Sequence, residues 1–211
     1  MKKQIVLAFF LILFSLMIFS MQNGEYMFKI LNEEAATETV SFKEVSSDVL
    51  DFESKTDLHF QMQQAIYQTK GQIKDNLIID YEVTVLYNNN ETVIHCTLNE
   101  DILRYTINNT SKDIPIAEPL LLLDNNMAWM WQLVYNLYHD NGYKNIHVIV
   151  PQLLIRNFTD VLTLEIQKTT QTEEDTNVFF NFNGQSGMLK VDENHQVIQL
   201  LMGANQMVKT K

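Results

Sequence analysis

Alternation of apolar and polar residues at period two runs through most of this chain and is the pattern that most restricts its fold. Leu77, Ile79, Tyr81, Val83, Val85 and Tyr87 share one face of an extended segment, while Asp80, Glu82 and Thr84 take the other. This is the signature of a strand with one side buried. Asn88-Asn89-Asn90 then tolerates the left-handed conformations of a tight turn, so residues 93–98 are the expected hairpin partner. Leu103, Tyr105 and Ile107 supply a third strand. Upstream, Leu58, Phe60 and Met62 alternate with His59, Gln61 and Gln63; Leu58, Met62, Ala65 and Ile66 also fit a helical face, and strand is the expectation. Further strands are expected at 146–150, 161–167, 178–183, 188–192 and 197–202, with hairpin links at 184–187 and 192–196. Strands in succession with short links make an antiparallel meander.

One segment has the helical period instead. Asp124 is placed to cap an N-terminus and Gly142 to end the helix in a left-handed conformation. Between them Met127, Met130, Trp131, Val134, Leu137 and Tyr138 form one apolar stripe, which requires a sheet to pack against. Gln132, Asn136, His139 and Asp140 lie opposite. Trp129 falls among them, roughly 200° from Met127 at 3.6 residues per turn. A large aromatic on a polar face needs a cover. Either the Ile-, Pro- and Leu-rich segment 114–123 folds across it, or it is a hot spot for a ligand or partner. Trp129 is the one binding residue that the sequence nominates. The fold class expected is α+β, a curved, mostly antiparallel meander sheet packed on one central amphipathic helix.

The N-terminus sets the address. Lys2 and Lys3 precede an apolar block that starts at Ile5 and continues to Phe19 with no charge. Residues 1–20 therefore read as a membrane anchor or a signal peptide. Ile18-Phe19-Ser20 is a poor cleavage site, because small residues are wanted three and one positions before the cut. No Cys follows the block for lipid attachment. The expectation is a single-pass cell-membrane anchor through residues 5–20 with the C-terminal domain outside the cytoplasm; the alternative is secretion. Residues 21–47 are polar and are expected to be a tether, leaving 48–211 as the extracytoplasmic domain.

Removing Lys2 and Lys3 leaves 13 basic against 26 acidic residues, a formal charge of −13. That balance argues against nucleic acid and against anionic headgroups, both of which need a positive surface. The lone Cys96 cannot form an internal disulfide, and its alternation with Ile94 and Leu98 makes it a buried filler. Export without disulfides looks bacterial.

No cofactor or metal is expected. The five His residues include no His-x-x-x-His pair, there is no Cys-x-x-Cys, and six glycines leave no Gly-rich phosphate loop. His59, His95 and His147 alternate with apolar neighbours and should face outward. Acids at 173–175 and 192–193 fall in expected loops, where they are solvated. An enzyme would need a site gathered from separate strands.

The order of elements resembles the bacterial extracytoplasmic lipoprotein-carrier (LolA-like) superfamily. The likeness lies in an export signal, a meander, a capped helix after Pro119 to Asp124, and closing strands at Gly187-Met188-Leu189-Lys190-Val191-Asp192 and Val197-Ile198-Gln199-Leu200. It covers residues 48–202 and implies a curved sheet folded over helices around an apolar pocket. The single central helix and the uncleaved anchor depart from that family and weigh against shuttling. The function expected is a membrane-tethered, non-enzymatic extracytoplasmic domain that binds a protein partner or an apolar ligand. A secreted lipid or lipoprotein carrier is the first alternative, and an enzyme is the second.

Overall fold

The structure, a computed structural model, describes residues 21–60, 63–99, 101–116, 119–124 and 127–211; the expected anchor at 1–20 lies outside them. The strands are β1 (Gly24–Ile30), β2 (Glu33–Ser46), β3 (Val49–Phe60), β4 (Gln63–Lys74), β5 (Leu77–Tyr87), β6 (Asn90–Asn99), β7 (Ile102–Ile107), β8 (Thr110–Pro115) and β9 (Leu120–Leu122). Helix α1 (Met130–His139) follows, then β10 (Asn145–Ile149) and the single turn α2 (Pro151–Leu154). The chain closes with β11 (Leu162–Gln171), β12 (Asp175–Phe182), β13 (Gln185–Asp192), β14 (Val197–Met202) and β15 (Asn205–Lys209).

Among the described residues all fifteen strands belong to one sheet, in the order β8-β7-β6-β5-β4-β3-β2-β1-β15-β14-β13-β12-β11-β10-β9. It consists of two meanders, β1 to β8 and β10 to β15, joined where β1 pairs antiparallel with β15 and Tyr26 stands opposite Lys209. β9 pairs parallel with β10. The left-handed two-residue turns each carry an asparagine, with positive φ at Leu31-Asn32, Asp75-Asn76, Asn88-Asn89 and Asn108-Asn109, as type I′ hairpins demand. Tyr87 opposite Asn90 and Ile107 opposite Thr110 close two of them.

These observations correct the expected fold class. The molecule is nearly all sheet, and its two helices among the described residues have ten and four residues, so helix does not form a layer of its own. The expected tether is mostly strand: β1 and β2 occupy residues 24–46. Their period is hard to see because the inward row of β2 carries Glu38 beside Val40, so an acid stands where the pattern wants an apolar residue. In β5 the register shifts beside Ile73, which pairs with Ile78 while Gln72 pairs with Asp80. This bulge turns Ile78 into the core at 0 % exposure, where simple alternation selects Leu77 and Ile79.

The sheet wraps round α1, and residues 130–137 are all buried. A helix packed on one sheet keeps a wet face; one enclosed by a curled sheet does not. Gly142 ends it as expected, at φ +75°, and its N–H donates to the Tyr138 carbonyl at 3.0 Å. Asp124 does not cap it. The helix starts six residues later, at Met130, and the Asp124 carboxylate instead accepts the Tyr81 hydroxyl at 2.7 Å.

Candidate functional site

Trp129 is 1 % exposed. Its ring lies 4.7 Å from Phe52 and 5.4 Å from Phe42, the latter edge-on, so β3 and β2 supply aromatic cover. The exposed surface on which a partner-binding reading of Trp129 rests is absent. On the same helix Trp131 packs 5.0 Å from Phe180 of β12. Gln132 and Asn136 of α1 are likewise enclosed. Gln132 bonds to Val197 N–H, the His195 carbonyl and Asn136, and Asn136 donates to Asn76 in the β4–β5 turn. The Tyr135 hydroxyl and His195 Nδ1 are 2.8 Å apart.

Beneath β1 to β5 lies a buried polar centre that sequence reasoning missed. Glu38 and Asp124 are 1 % and 0 % exposed. Glu38 accepts the Ala128 N–H at 2.7 Å, and the Thr56 hydroxyl lies 3.4 Å from its other oxygen. Ser54 and Thr69 share a 2.6 Å hydrogen bond nearby, and the Ser54 hydroxyl reaches Met127 Sδ at 3.7 Å. Burial first, then the Asp124 charge, pushes the Tyr81 hydroxyl well above its ordinary value. Burial first, then Glu38, does the same to Tyr26. The available signal was Glu38 itself, an acid two residues from Val40 in an otherwise inward row.

Cys96 is buried, and burial with Asp80 nearby pushes its thiol up to about 12, so it holds no ready thiolate. His95 sits half exposed, 2.8 Å from Asp80, and His59 lies 3.7 Å from Glu34. Among the described residues no three His, Cys, Asp or Glu side chains converge as a metal site.

Room for a ligand lies elsewhere. A trough of about 480 Å³ crosses β2 to β5, within the range of small-ligand sites. Its exposed side chains come from the outward rows that cross-strand register brings together, Ser41, Glu53, Lys70 and Glu82 in one row and Lys55 and Thr84 in the next, and Val40, Ser54 and Thr69 of the inward rows also border it. Lys70 pairs with Glu82 at 2.8 Å and Lys55 with Asp57 at 2.9 Å. The lining carries both signs of charge and exposes polar and apolar atoms alike. Inside the sheet, by contrast, the void bounded by Tyr26, Ala128 and Met207 measures about 10 Å³, close to the size of one water.

No protein-family model matches the chain, and no curated protein is similar to it. Among solved structures, the chain is similar to a β-barrel-like protein of the domain of unknown function DUF1849 from Brucella abortus, with a TM-score of 0.50 and 10% identity over 89% of this chain and 93% of that one. It is also similar to a DUF1089-family protein from Pseudomonas aeruginosa, with a TM-score of 0.49 and 12% identity over 76% of this chain and 87% of that one. The first likeness defines the class as a β-barrel-like sheet, and at this identity it shows the fold alone. The curved antiparallel sheet implied by the carrier resemblance is present, and the space where that resemblance implies an apolar pocket is filled by α1. Among the described residues no helix is long and apolar enough to cross a membrane.

Proposed function

We propose that this chain is a non-enzymatic binding domain, held outside the cytoplasm by residues 1–20, that engages a protein partner through the trough on β2 to β5. One observation carries the choice of partner over apolar ligand: the interior is filled, whereas the charged trough on the outer face is open. An apolar ligand entering the sheet would have to displace α1, strip Trp129 from Phe42 and Phe52, and leave the Val197 N–H without Gln132. A mixed-charge trough with apolar atoms between its charges selects its partner by complementary charge pattern as well as by apolar contact. Two of its cations already have acidic partners, so binding there exchanges one set of ion pairs for another at little desolvation cost.

The test is a photo-crosslinking residue placed at Gln68 in the trough, with Thr163 on the outward side of β11 as the control, in the full chain within its own membranes. A discrete protein adduct is expected from position 68 and not from 163, and the charge reversals Glu53→Lys and Lys70→Glu together should abolish it. Equal labelling from both positions, or none from 68, overturns the trough as the binding site. N-terminal mass analysis of the same sample decides the anchor: a mature chain beginning near Met21 would remove it.

A further inference from the structure

Glu38 stands in register between Tyr26 of β1 and Thr56 of β3, with its side chain on the inward row. Its 2.7 Å bond from the Ala128 N–H crosses a separation of 90 residues. Ala128 lies in the entry to α1, and the next residue, Trp129, is seated between Phe42 of β2 and Phe52 of β3. One carboxyl group thus fastens the start of the central helix to the sheet wall. The groups that face it are Tyr26 from β1, Thr56 from β3, Tyr81 from β5 and Asp124 from the entry segment itself. Tyr67 of β4 faces Asp124. From β15, Lys209 stands opposite Tyr26 and borders the small void beside Ala128, and burial disfavours its charge. Among the described residues no basic side chain pairs with Glu38.

A carboxylate in that position bears the full penalty of leaving water beside a second acid, and a neutral carboxyl group does not. Burial is the first cause and the Asp124 charge adds to it, against the smaller opposing effect of the backbone N–H bonds; together they raise the Glu38 pKa well above its ordinary value.

We propose that Glu38 is a proton-operated latch: protonated, it holds residues 127–129 against β2 and β3; ionised, it releases them, so that Trp129 leaves its slot and the interior of the sheet opens to water. The sign follows from linkage. The closed state binds the proton more tightly than the open one, so latch stability is complete below the ordinary glutamate value. It falls as pH rises from there to the raised value of the closed state, by tenfold in the closed-to-open ratio per pH unit within that window. This goes beyond the binding role of the trough, since the latch lies on the opposite side of the same strands.

Trp129 and Trp131 are the chain's two tryptophans, so Trp131→Phe leaves Trp129 as the sole fluorophore at the latch. In the full chain, its emission should be blue and shielded from acrylamide at pH 5. As pH rises it should move red with several-fold stronger quenching, over a one-proton transition and with unchanged far-ultraviolet circular dichroism. Glu38→Gln should hold the emission blue throughout. A transition that persists in Glu38→Gln overturns the latch, as does emission that stays blue to pH 10 with Glu38 present. Carboxyl-carbon NMR of the unsubstituted chain keeps the test open if either variant fails to fold: a Glu38 signal that titrates at the ordinary glutamate value in the folded protein refutes the proposal.

Discussion

The side-chain oxygen of Gln132 accepts the backbone N–H of Val197 at 2.7 Å, while its amide nitrogen donates to the His195 carbonyl at 2.9 Å. A glutamine on the side of the helix that the sequence marks as wet is thereby the clamp between α1 and the β13–β14 turn. Asn136, one turn on, reaches Asn76 and ties the helix to the β4–β5 turn as well. Gln132→Leu removes both partners from a buried N–H and carbonyl, so a loss of about 1–3 kcal/mol is expected in urea unfolding. A change within about 0.5 kcal/mol would show that water takes over the bonds and that the clamp carries no energy.

Trp129 separates core from surface by the same measurement. Seated between Phe42 and Phe52, its truncation to Ala should cost about 3–5 kcal/mol, with Trp129→Phe costing clearly less. A surface tryptophan would give less than about 0.5 kcal/mol.

Cys96 provides a probe of opening. With its thiol buried and pushed up to about 12, labelling by a dithiodipyridine at pH 5, where the latch is closed, should be slow in the folded chain. The labelling rate should rise to that of a free thiol only as the protein unfolds in denaturant. Prompt labelling without denaturant would place the β5–β7 region outside the stable core.

Two glycines should fail for different reasons. A Cβ on Gly71 would meet the carbonyl oxygen of Asp80 on the paired strand and press on the Phe52 ring, so Gly71→Ala forces backbone apart and should cost about 3 kcal/mol or more. At Gly142 nothing lies within 4 Å of such a Cβ, and the cost of Gly142→Ala is only that of holding φ +75°, about 1–2 kcal/mol. Thermal unfolding of the pair checks the order; equal losses would contradict the steric account of Gly71.

Strands were legible where one face is apolar and the other wet. The β5–β6 hairpin with its Asn88-Asn89 turn, the strands from β10 to β14 and the Gly142 terminus can all be read from local pattern. β2 could not, because Glu38 occupies an inward position that only the distant Ala128 N–H justifies. β8 could not either: Thr-Ser-Lys-Asp-Ile-Pro is the vocabulary of an edge strand, whose sequence discourages further pairing and therefore hides its strand character. The α+β expectation failed for a related reason. An amphipathic stripe reveals that a helix packs on something, but not that a sheet will curl far enough to cover its other side. The trough was out of reach because its rows exist only once β2 to β5 are in register, and residues such as Ser41 and Glu82 have no sequence relation to one another.

The pairing of β1 with β15 has a consequence for how the molecule is made. A chain delivered from its N-terminus presents β1 to β8 first, and the free edge of β1 has no neighbour until β15 appears nearly 180 residues later. Contacts of that separation form slowly, because the loop must close before the contact repays it. During synthesis the first meander therefore waits with one long edge open to pairing with another copy. Its completion depends on the five residues of β15, and the last strand to emerge is the one that turns two half-sheets into a single wall.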